Sequence, residues 1–165
     1  MTKIFISHKK EDSDQANTIA IQLRRNGIEA YLDVLDPHLK AGGEELSNYL
    51  QDKLSQCSHL LAVLSYSTRL SWWVPFEIGI ATEKQYPISS YLTVGNKNDI
   101  PEYLWKWPVL RTLEDLREYT SIINKSSSIL LSEEMKHWQY SNKGVPKNYA
   151  DAFHRRLKMN LGQTL

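Results

Sequence analysis

The sequence predicts an α/β fold in which a parallel β-sheet has helices packed on both faces. Short apolar runs typical of strands alternate with segments of helical spacing, and the connections between them are short. The run "HLLAVLS" is apolar along its length, as expected for a central strand covered on both sides. Because right-handed crossovers place helices on both faces of such a sheet, ligands are expected at the carboxyl ends of its strands.

The first strand, helix and second strand are predicted within residues 3–34. "KIFIS" indicates a buried strand, and the residues that favour a helix start after it are Asp12, Ser13 and Asp14. Apolar side chains then recur at helical spacing, at Ala16, Ile19, Ala20 and Leu23. Gly27 is expected to end this helix. "IEAYLDV" predicts the second strand, because apolar residues alternate along it.

The middle of the chain continues the alternation. "LDPHLKAGG" predicts a loop of some length, because it contains one proline and two glycines. One face of a second helix is apolar and carries Leu46, Tyr49, Leu50, Leu54 and Cys57. "HLLAVLS" is the third predicted strand, "SWWVPFEIGIA" the third helix and "ISSYLTV" the fourth strand.

The pattern weakens from Asn96 onward. "NKNDIPEYLWKWPVL" predicts a packed loop and a short edge strand, and three further helices are expected in "LEDLREYTSIIN", "SSSILLSEEMKHW" and "PKNYADAFHRRLKMNL". A chain of 165 residues suits one domain with a substantial core. We therefore predict a single domain over 1–165, with a core at about 3–110 and a helical extension of the same domain at 111–165.

Composition excludes several classes of partner. Hydrophobic residues make up 41% and charged residues 24%, as in a soluble globular protein. The net charge of +1 creates no strong field for nucleic acid or an acidic membrane. No apolar stretch approaches a membrane span, and the apolar run near the start is too short for a signal peptide. A single cysteine, Cys57, excludes an internal disulfide, so we expect a cytoplasmic protein without membrane or nucleic-acid partners.

Polar side chains cluster where the predicted strands end. The first strand is followed by Ser7, His8, Lys9 and Lys10. The second is followed by Asp33 and Asp36, and the third by Ser65, Tyr66 and Ser67. Because the carboxyl ends of parallel strands share one edge of the sheet, these side chains are expected to converge there.

The third predicted helix carries a single acid, Glu77, in an otherwise apolar segment. Trp73 lies four residues earlier and so on the same helical face. Pro75 is tolerated only in a first turn, which places Glu77 in the second turn, near the edge where the strands end. Adjacent helical positions diverge by about 100 degrees, so Trp73 is expected at the site and Trp72 in packing, against Phe76.

These motifs together resemble the TIR domain family. "IFISHKKED" is similar to the family's first motif, and "YLDVLDPHLKAGGEEL" to its second strand and BB loop. "LLAVLSYSTRLSWWVPFEIGIA" is similar to the third strand, its serine-bearing exit and the Trp-x-x-x-Glu helix of the enzymatic members. The resemblance covers about Lys3 to Val94, with the motifs in the family's order.

The resemblance implies a flavodoxin-like fold and, in many members, cleavage of NAD+. It implies that Glu77 is the catalytic glutamate and that Trp73 is the aromatic residue beside it. The substrate-binding residues that it implies are Ser7, His8, Lys9, Asp33, Leu39, Lys40, Ser65, Tyr66 and Trp73. NAD+ would be the substrate, so no cofactor is expected. TIR–TIR self-association, and a separate effector reached by a nucleotide messenger as in Thoeris antiphage defence, follow from family analogy.

A lone carboxylate suits the chemistry of NAD+ better than that of an ordinary glycoside. Glycoside hydrolysis uses two carboxylates, one of which protonates the departing oxygen. Nicotinamide is already a cation in NAD+ and leaves as a neutral group, so no acid is needed. One preorganised charge facing a developing sugar cation contributes about 3–4 kcal/mol at comparable sites.

Structural roles remain open for the same residues. Glu77 is compatible with an exposed helix position, His8 with a turn, Lys9 and Lys10 with solvation, and Ser65 and Ser67 with turn capping. No second histidine lies at metal-ligand spacing, so no metal is expected.

Three other functions compete with NAD+ cleavage. The first is a non-enzymatic adaptor that acts through TIR–TIR contacts, and the second is an enzyme resembling nucleoside deoxyribosyltransferases. The third, a receiver domain, is excluded because the first strand ends in Ser7-His8-Lys9 rather than in acidic residues.

Overall fold

The structure, a computed structural model, describes residues 2–32, 43–93, 95, 100–133 and 147–164. Its five strands form one sheet in which every pairing is parallel, in the order β2-β1-β3-β4-β5. Their bounds are β1 Lys3–Ser7, β2 Glu29–Leu32, β3 His59–Leu64, β4 Ile88–Leu92 and β5 Val109–Leu110. This is the strand order of the flavodoxin-like fold, so the predicted fold class is confirmed.

Helices lie on both faces of this sheet. Their bounds are α1 Ser13–Arg25, α2 Gly43–Ser55, α3 Trp73–Glu83, α4 Leu113–Glu133 and α5 Lys147–Asn160. Successive side chains of a strand point to opposite faces, so Ile4 and Ile6 join a core built with α1, α4 and α5. Phe5 joins a second core built with α2 and α3.

The strand β3 is the centre of the sheet. All six of its residues are buried, because β1 and β4 pair with it on either side and helices cover both of its faces. The prediction of a central strand at "HLLAVLS" is therefore confirmed.

The ends of α1 show which local signals acted as predicted. Gly27 follows the helix with a φ of 75°, and the Ile28 N–H donates to the Leu23 carbonyl at 3.1 Å, which closes the helix. Asp12 stands at the N-cap, but its side chain makes no capping hydrogen bond. The capping role predicted for Asp12 is therefore wrong, because its carboxylate accepts hydrogen bonds from Ser65 and Thr68 instead.

The C-terminal part of the chain differs from the sequence prediction in one respect. The helix α4 continues without a break through the first predicted helix into the second, because the serine run between them contains no glycine or proline to interrupt it. The edge strand is present as β5, and α5 occupies the last predicted helix. Phe153 and Leu157 of α5 lie in the same core as Ile4 and Ile6 of β1. The assignment of residues 1–165 to a single domain stays a prediction.

Among the described residues, no helix is both long and apolar enough to cross a bilayer. Within the same ranges, no cluster of three or more histidine, cysteine or acidic side chains is arranged to hold a metal ion.

Candidate active site

Glu77 is a buried carboxylate near the carboxyl edge of the sheet. Its side chain lies in the second turn of α3, and the residue is only 1% exposed. The helix begins at Trp73, so Pro75 falls in the first turn, where its missing N–H removes no helical hydrogen bond. The alternative of an exposed surface position for Glu77 is therefore wrong.

Ser7 holds this carboxylate from the end of β1. The Ser7 hydroxyl donates a hydrogen bond to Glu77 Oε2, and Ser7 itself is completely buried. A buried charge is tolerated only where donors replace its hydration, and a bond to a charged group contributes about 1.5–3 kcal/mol. Ser7 and Glu77 are 70 positions apart in the sequence, and the fold brings their side chains into contact.

The two tryptophans before Glu77 have different environments. Trp73 is 36% exposed, and its ring meets that of Phe76 edge to face with 6.1 Å between centroids. Trp72 is 89% exposed, so its predicted packing role is wrong, as is its predicted contact with Phe76. The physical reason is that Trp72 precedes the helix as its N-cap residue, and Trp73 takes the place beside Phe76.

The polar residues after β1 have local partners. His8 Nδ1 lies 3.2 Å from the Ile6 carbonyl oxygen, which is a turn-like arrangement. Lys9 Nζ lies 3.3 Å from Glu11 Oε1, with the Lys9 side chain 28% exposed. The substrate-binding roles of His8 and Lys9 stay predictions, as do those of the other residues proposed to contact substrate.

A carboxylate that the sequence did not identify as part of the site connects the exits of β1 and β3. Asp12 Oδ2 accepts hydrogen bonds from Ser65 Oγ at 2.9 Å and from Thr68 Oγ1 at 3.1 Å. Ser65 Oγ also accepts a hydrogen bond from the Ser67 N–H at 3.1 Å. This bond is the turn-capping role that the sequence left open for Ser65. The three side chains fix the turn through which the chain enters α3, and we call them the Asp12 network.

A signal for Asp12 exists in the sequence but is visible only in retrospect. Asp12 lies five residues beyond β1, and Ser65 and Thr68 lie just beyond β3. These residues share one edge of the sheet because β1 and β3 are neighbours, which is known only once the strand order is known. The sequence pattern predicted helix capping for Asp12 instead, because a sequence indicates only hydrogen-bond partners that lie close along the chain.

The remaining predicted site residues divide into two groups. Tyr66 lies at the same edge and is 58% exposed. Asp33, Leu39 and Lys40 lie outside the residues that the structure describes.

A cavity of about 230 Å³ lies where β3 gives way to α3. Its walls include Ser65 and Thr68 from the Asp12 network, Val74 and Pro75 from the first turn of α3, and Tyr103. Glu77 is not in its wall, since that side chain points to Ser7 on β1.

Comparison with known proteins identifies the family of this chain. A family model described as TIR domain matches residues 4–114, which include all of β1 except Lys3, the other four strands and the first three helices. The chain therefore belongs to the TIR domain family. None of the curated proteins compared with the chain matches it.

A solved TIR domain structure has the same fold. The crystal structure of the TIR domain of the Toll-related receptor TRR-2 from Hydra magnipapillata is 18% identical, with a TM-score of 0.57, and the match covers 76% of this chain and 96% of that one. The TIR domains of the activated Roq1 resistosome, which directly recognizes the pathogen effector XopQ, are 17% identical over 98% of both chains, with a TM-score of 0.46. At this identity the first match shows the fold alone, and the second is too distant to support even that.

Proposed function

We propose that this chain cleaves the bond between nicotinamide and ribose in NAD+. The products would be nicotinamide and either ADP-ribose or a cyclic ADP-ribose isomer. The observation that carries the proposal is the single acid Glu77, 1% exposed and held by the Ser7 hydroxyl at the edge where ligands bind in this fold. The buried position is what the chemistry needs, since a carboxylate acts more strongly on a nearby cation when water is excluded.

The proposed reaction needs one carboxylate. As the C–N bond breaks, its electron pair stays with the nicotinamide ring, which leaves neutral, and positive charge develops on the ribose. Glu77 would stabilise this charge and accept hydrogen bonds from the ribose hydroxyls. Attack by water then gives ADP-ribose and releases a proton, whereas attack by a nitrogen of the adenine gives a cyclic product. Both routes use the same carboxylate, so the site does not select between them.

Ser7 would position the carboxylate for this step. Its hydroxyl donates to Oε2 and thereby fixes the orientation of the carboxyl group. A fixed oxygen does not have to reorganise as charge develops, and this is the largest general contribution of electrostatic catalysis. The substrate contacts proposed for His8, Lys9, Ser65, Tyr66 and Trp73 would surround this carboxyl group.

The wider role rests on family resemblance. We propose a cytoplasmic bacterial TIR protein of the Thoeris antiphage kind, which makes a nucleotide messenger for a separate effector. Self-association through TIR–TIR contacts belongs to the same proposal. No cofactor is included, because NAD+ is consumed as substrate.

An adaptor that binds other TIR domains is the second candidate. The observation in its favour is an exposed aromatic group at the same edge, with Trp72 at 89%, Tyr66 at 58% and Phe76 at 37% exposure. Clusters of exposed aromatic side chains are enriched in protein interfaces. A protein with this role would not need the buried Glu77.

NAD+ turnover by matched variants separates the two candidates. The whole chain, at high concentration or on a crowding surface, is incubated with NAD+, and nicotinamide is followed by chromatography. Glu77→Gln keeps the shape of the side chain and removes its charge, so turnover is expected to fall at least ~100-fold. Glu83→Gln changes an exposed acid on the same helix and serves as the control. Equal turnover in both variants and the parent chain would reject the site, and a folded parent without turnover under these conditions would favour the adaptor.

A further inference from the structure

A second cavity lies at the opposite end of the sheet from Glu77. It is about 510 Å³ and is bordered by the residues that lead into β4 and β5 and by one side of α5. We call it the amino-end cleft, and its principal lining residues are Gln85, Tyr86, Lys106, Asp151, His154 and Arg155. Its volume falls within the range of small-molecule sites. Nothing in the proposed reaction uses it.

Cations converge on the amino-end cleft. Lys106, Arg155 and Lys158 line it, against the single carboxylate of Asp151 among the described lining residues. Lys158 is only 8% exposed, and its Nζ donates to the Trp105 carbonyl at 3.2 Å. A charge at such depth is screened by salt less than a surface charge is. The cleft therefore favours an anion.

The position of one cation is set by an aromatic neighbour. Lys106 Nζ lies 4.2 Å from the centroid of the Trp107 ring, a cation–π contact at the wall of the cleft. Tyr86 lines the same cleft, and its hydroxyl donates to the Leu54 carbonyl at 3.2 Å, which holds the ring in place. A fixed, half-buried ring beside a set of cations suits a ligand with a planar group and a negative group.

His154 contributes an uncharged ring to the cleft. The Ile88 N–H donates to His154 Nε2 at 2.8 Å, so the neutral ring carries its proton on Nδ1. Burial is the main cause of a lowered His154 pKa, about 4, and nearby Lys106 and Lys158 lower it further, whereas Asp151 raises it. At neutral pH the charge of the cleft therefore comes from its lysines and arginine.

Gln85 occupies a place where glycine is usual. It follows α3 with a φ of 57°, and the Tyr86 N–H donates to the Ala81 carbonyl at 3.0 Å, which is the helix ending that favours glycine. A glutamine in this conformation is strained relative to glycine, and residues with such strain cluster at positions where the side chain has a functional role. Lining the cleft supplies one, because an amide can bind both a base edge and a phosphate oxygen.

We propose that the amino-end cleft binds a phosphorylated small molecule of mononucleotide size. Its phosphate would lie among Lys106, Arg155 and Lys158, and its base against Tyr86. Asp151 suits the sugar, since a carboxylate accepts hydrogen bonds from ribose hydroxyls and repels a phosphate. This site goes beyond the proposed NAD+ cleavage and does not depend on it.

Calorimetry on the whole chain tests the proposal with three probes. AMP carries base, sugar and phosphate, inorganic phosphate carries only the anion, and adenosine lacks it. AMP is expected to bind at one site, with a dissociation constant below about 1 mM and at least ~10-fold more tightly than either of the other probes. Absence of saturable AMP binding up to about 10 mM would overturn the proposal.

Matched variants locate the site. Arg155→Gln and Lys106→Gln are each expected to weaken AMP binding about 5-fold or more, because each removes a charge-assisted hydrogen bond. Arg156→Gln, the adjacent exposed arginine of α5, is the control and should bind as the parent does. Glu77→Gln should also bind AMP normally, so a loss there would assign the binding to the proposed NAD+ site and reject the cleft.

Gln85→Gly provides a test that does not depend on charge. It is expected to keep or raise the unfolding temperature, because glycine relieves the left-handed backbone, and to weaken AMP binding. A variant that gains stability and binds AMP as tightly as the parent would show that Gln85 has no part in the site.

Discussion

The two ends of the parallel sheet surround their ionisable groups in opposite ways. At the carboxyl end, the buried Glu77 accepts a hydrogen bond from a hydroxyl group and the half-buried Asp12 accepts two more, so both carboxyl groups have donors beside them. At the amino end, His59 and His154 lie at the α5 side of the sheet, and burial lowers their pKa values to about 3 and about 4. Hydrogen-bond donors favour the charged form of a carboxyl group, whereas burial without such partners favours the neutral form of an ionisable side chain. A charge-dependent reaction is therefore expected at the first end and not among the histidines of the second.

The largest stability effect is expected from acidification of the amino end. Above pH 6.5 both histidines are neutral in the folded and unfolded states; below it, the unfolded state binds protons that the folded state does not. The free energy of unfolding should therefore fall between pH 6.5 and about pH 4, by roughly 3–5 kcal/mol for the pair. Urea unfolding at pH 7.5, 5.5 and 4.5 measures this.

The environment of His59 defines the variants for that test. The ring contacts Ser58 Oγ at 2.9 Å and the Tyr149 hydroxyl at 3.2 Å, with His154 as a neighbouring titrating group. His59→Gln should flatten the pH dependence of stability, and His8→Gln, a histidine outside this cluster, should leave it unchanged. A parallel loss in all three proteins would attribute the acid sensitivity to other groups.

A smaller effect is expected at the carboxyl end from the Asp12 network. Asp12→Ala leaves Ser65 and Thr68 without their shared acceptor, so unfolding should become easier by about 1–3 kcal/mol. NAD+ turnover should fall as well if Glu77 depends on this turn for its position. Asp14→Ala, in the first turn of α1, is the control for a general effect on that helix. Equal losses for the two variants would count against a special role for the network.

Ser7 is expected to affect turnover more than stability. Ser7→Ala removes one donor from Glu77 and should lower NAD+ turnover about 10-fold, with a stability change of about 1 kcal/mol. Ser7→Thr keeps a hydroxyl and should restore part of the activity if the donor matters. Turnover and urea unfolding of the same preparations separate the two effects, and an alanine variant as active as the parent would exclude the positioning role.

The smallest effect is expected at Trp72. With 89% of its surface exposed, Trp72→Ser should change the free energy of unfolding by less than about 0.5 kcal/mol. Trp107→Ser, at a tryptophan only 6% exposed, is the matched contrast and should be strongly destabilising. If Trp72→Ser abolished self-association measured by light scattering, the adaptor candidate would gain support.

The fold was largely predictable from the sequence. The sequence also singled out Glu77 as the one acid in the apolar segment predicted as the third helix. Alternating apolar runs determined the strands, and Pro75 determined where α3 could begin and hence the turn that holds Glu77. The continuation of α4 through "SSSILL" as a single helix was not predictable, because polar serines neither require nor prevent a helix. The side chain of Asp12 was misassigned because its two partners lie 53 and 56 residues away.

What the amino-acid sequence determined by itself is the order of strands and helices, the central position of β3 and the isolation of Glu77 among apolar residues. Periodicity and composition carry these, because they depend on neighbours along the chain. The tertiary structure alone decided that Ser7 faces Glu77, that Asp12 joins two strand exits, and that Lys106 and Arg155 border one cleft. These are contacts between distant segments, and a parallel sheet brings such segments together only when its strand order and register are set.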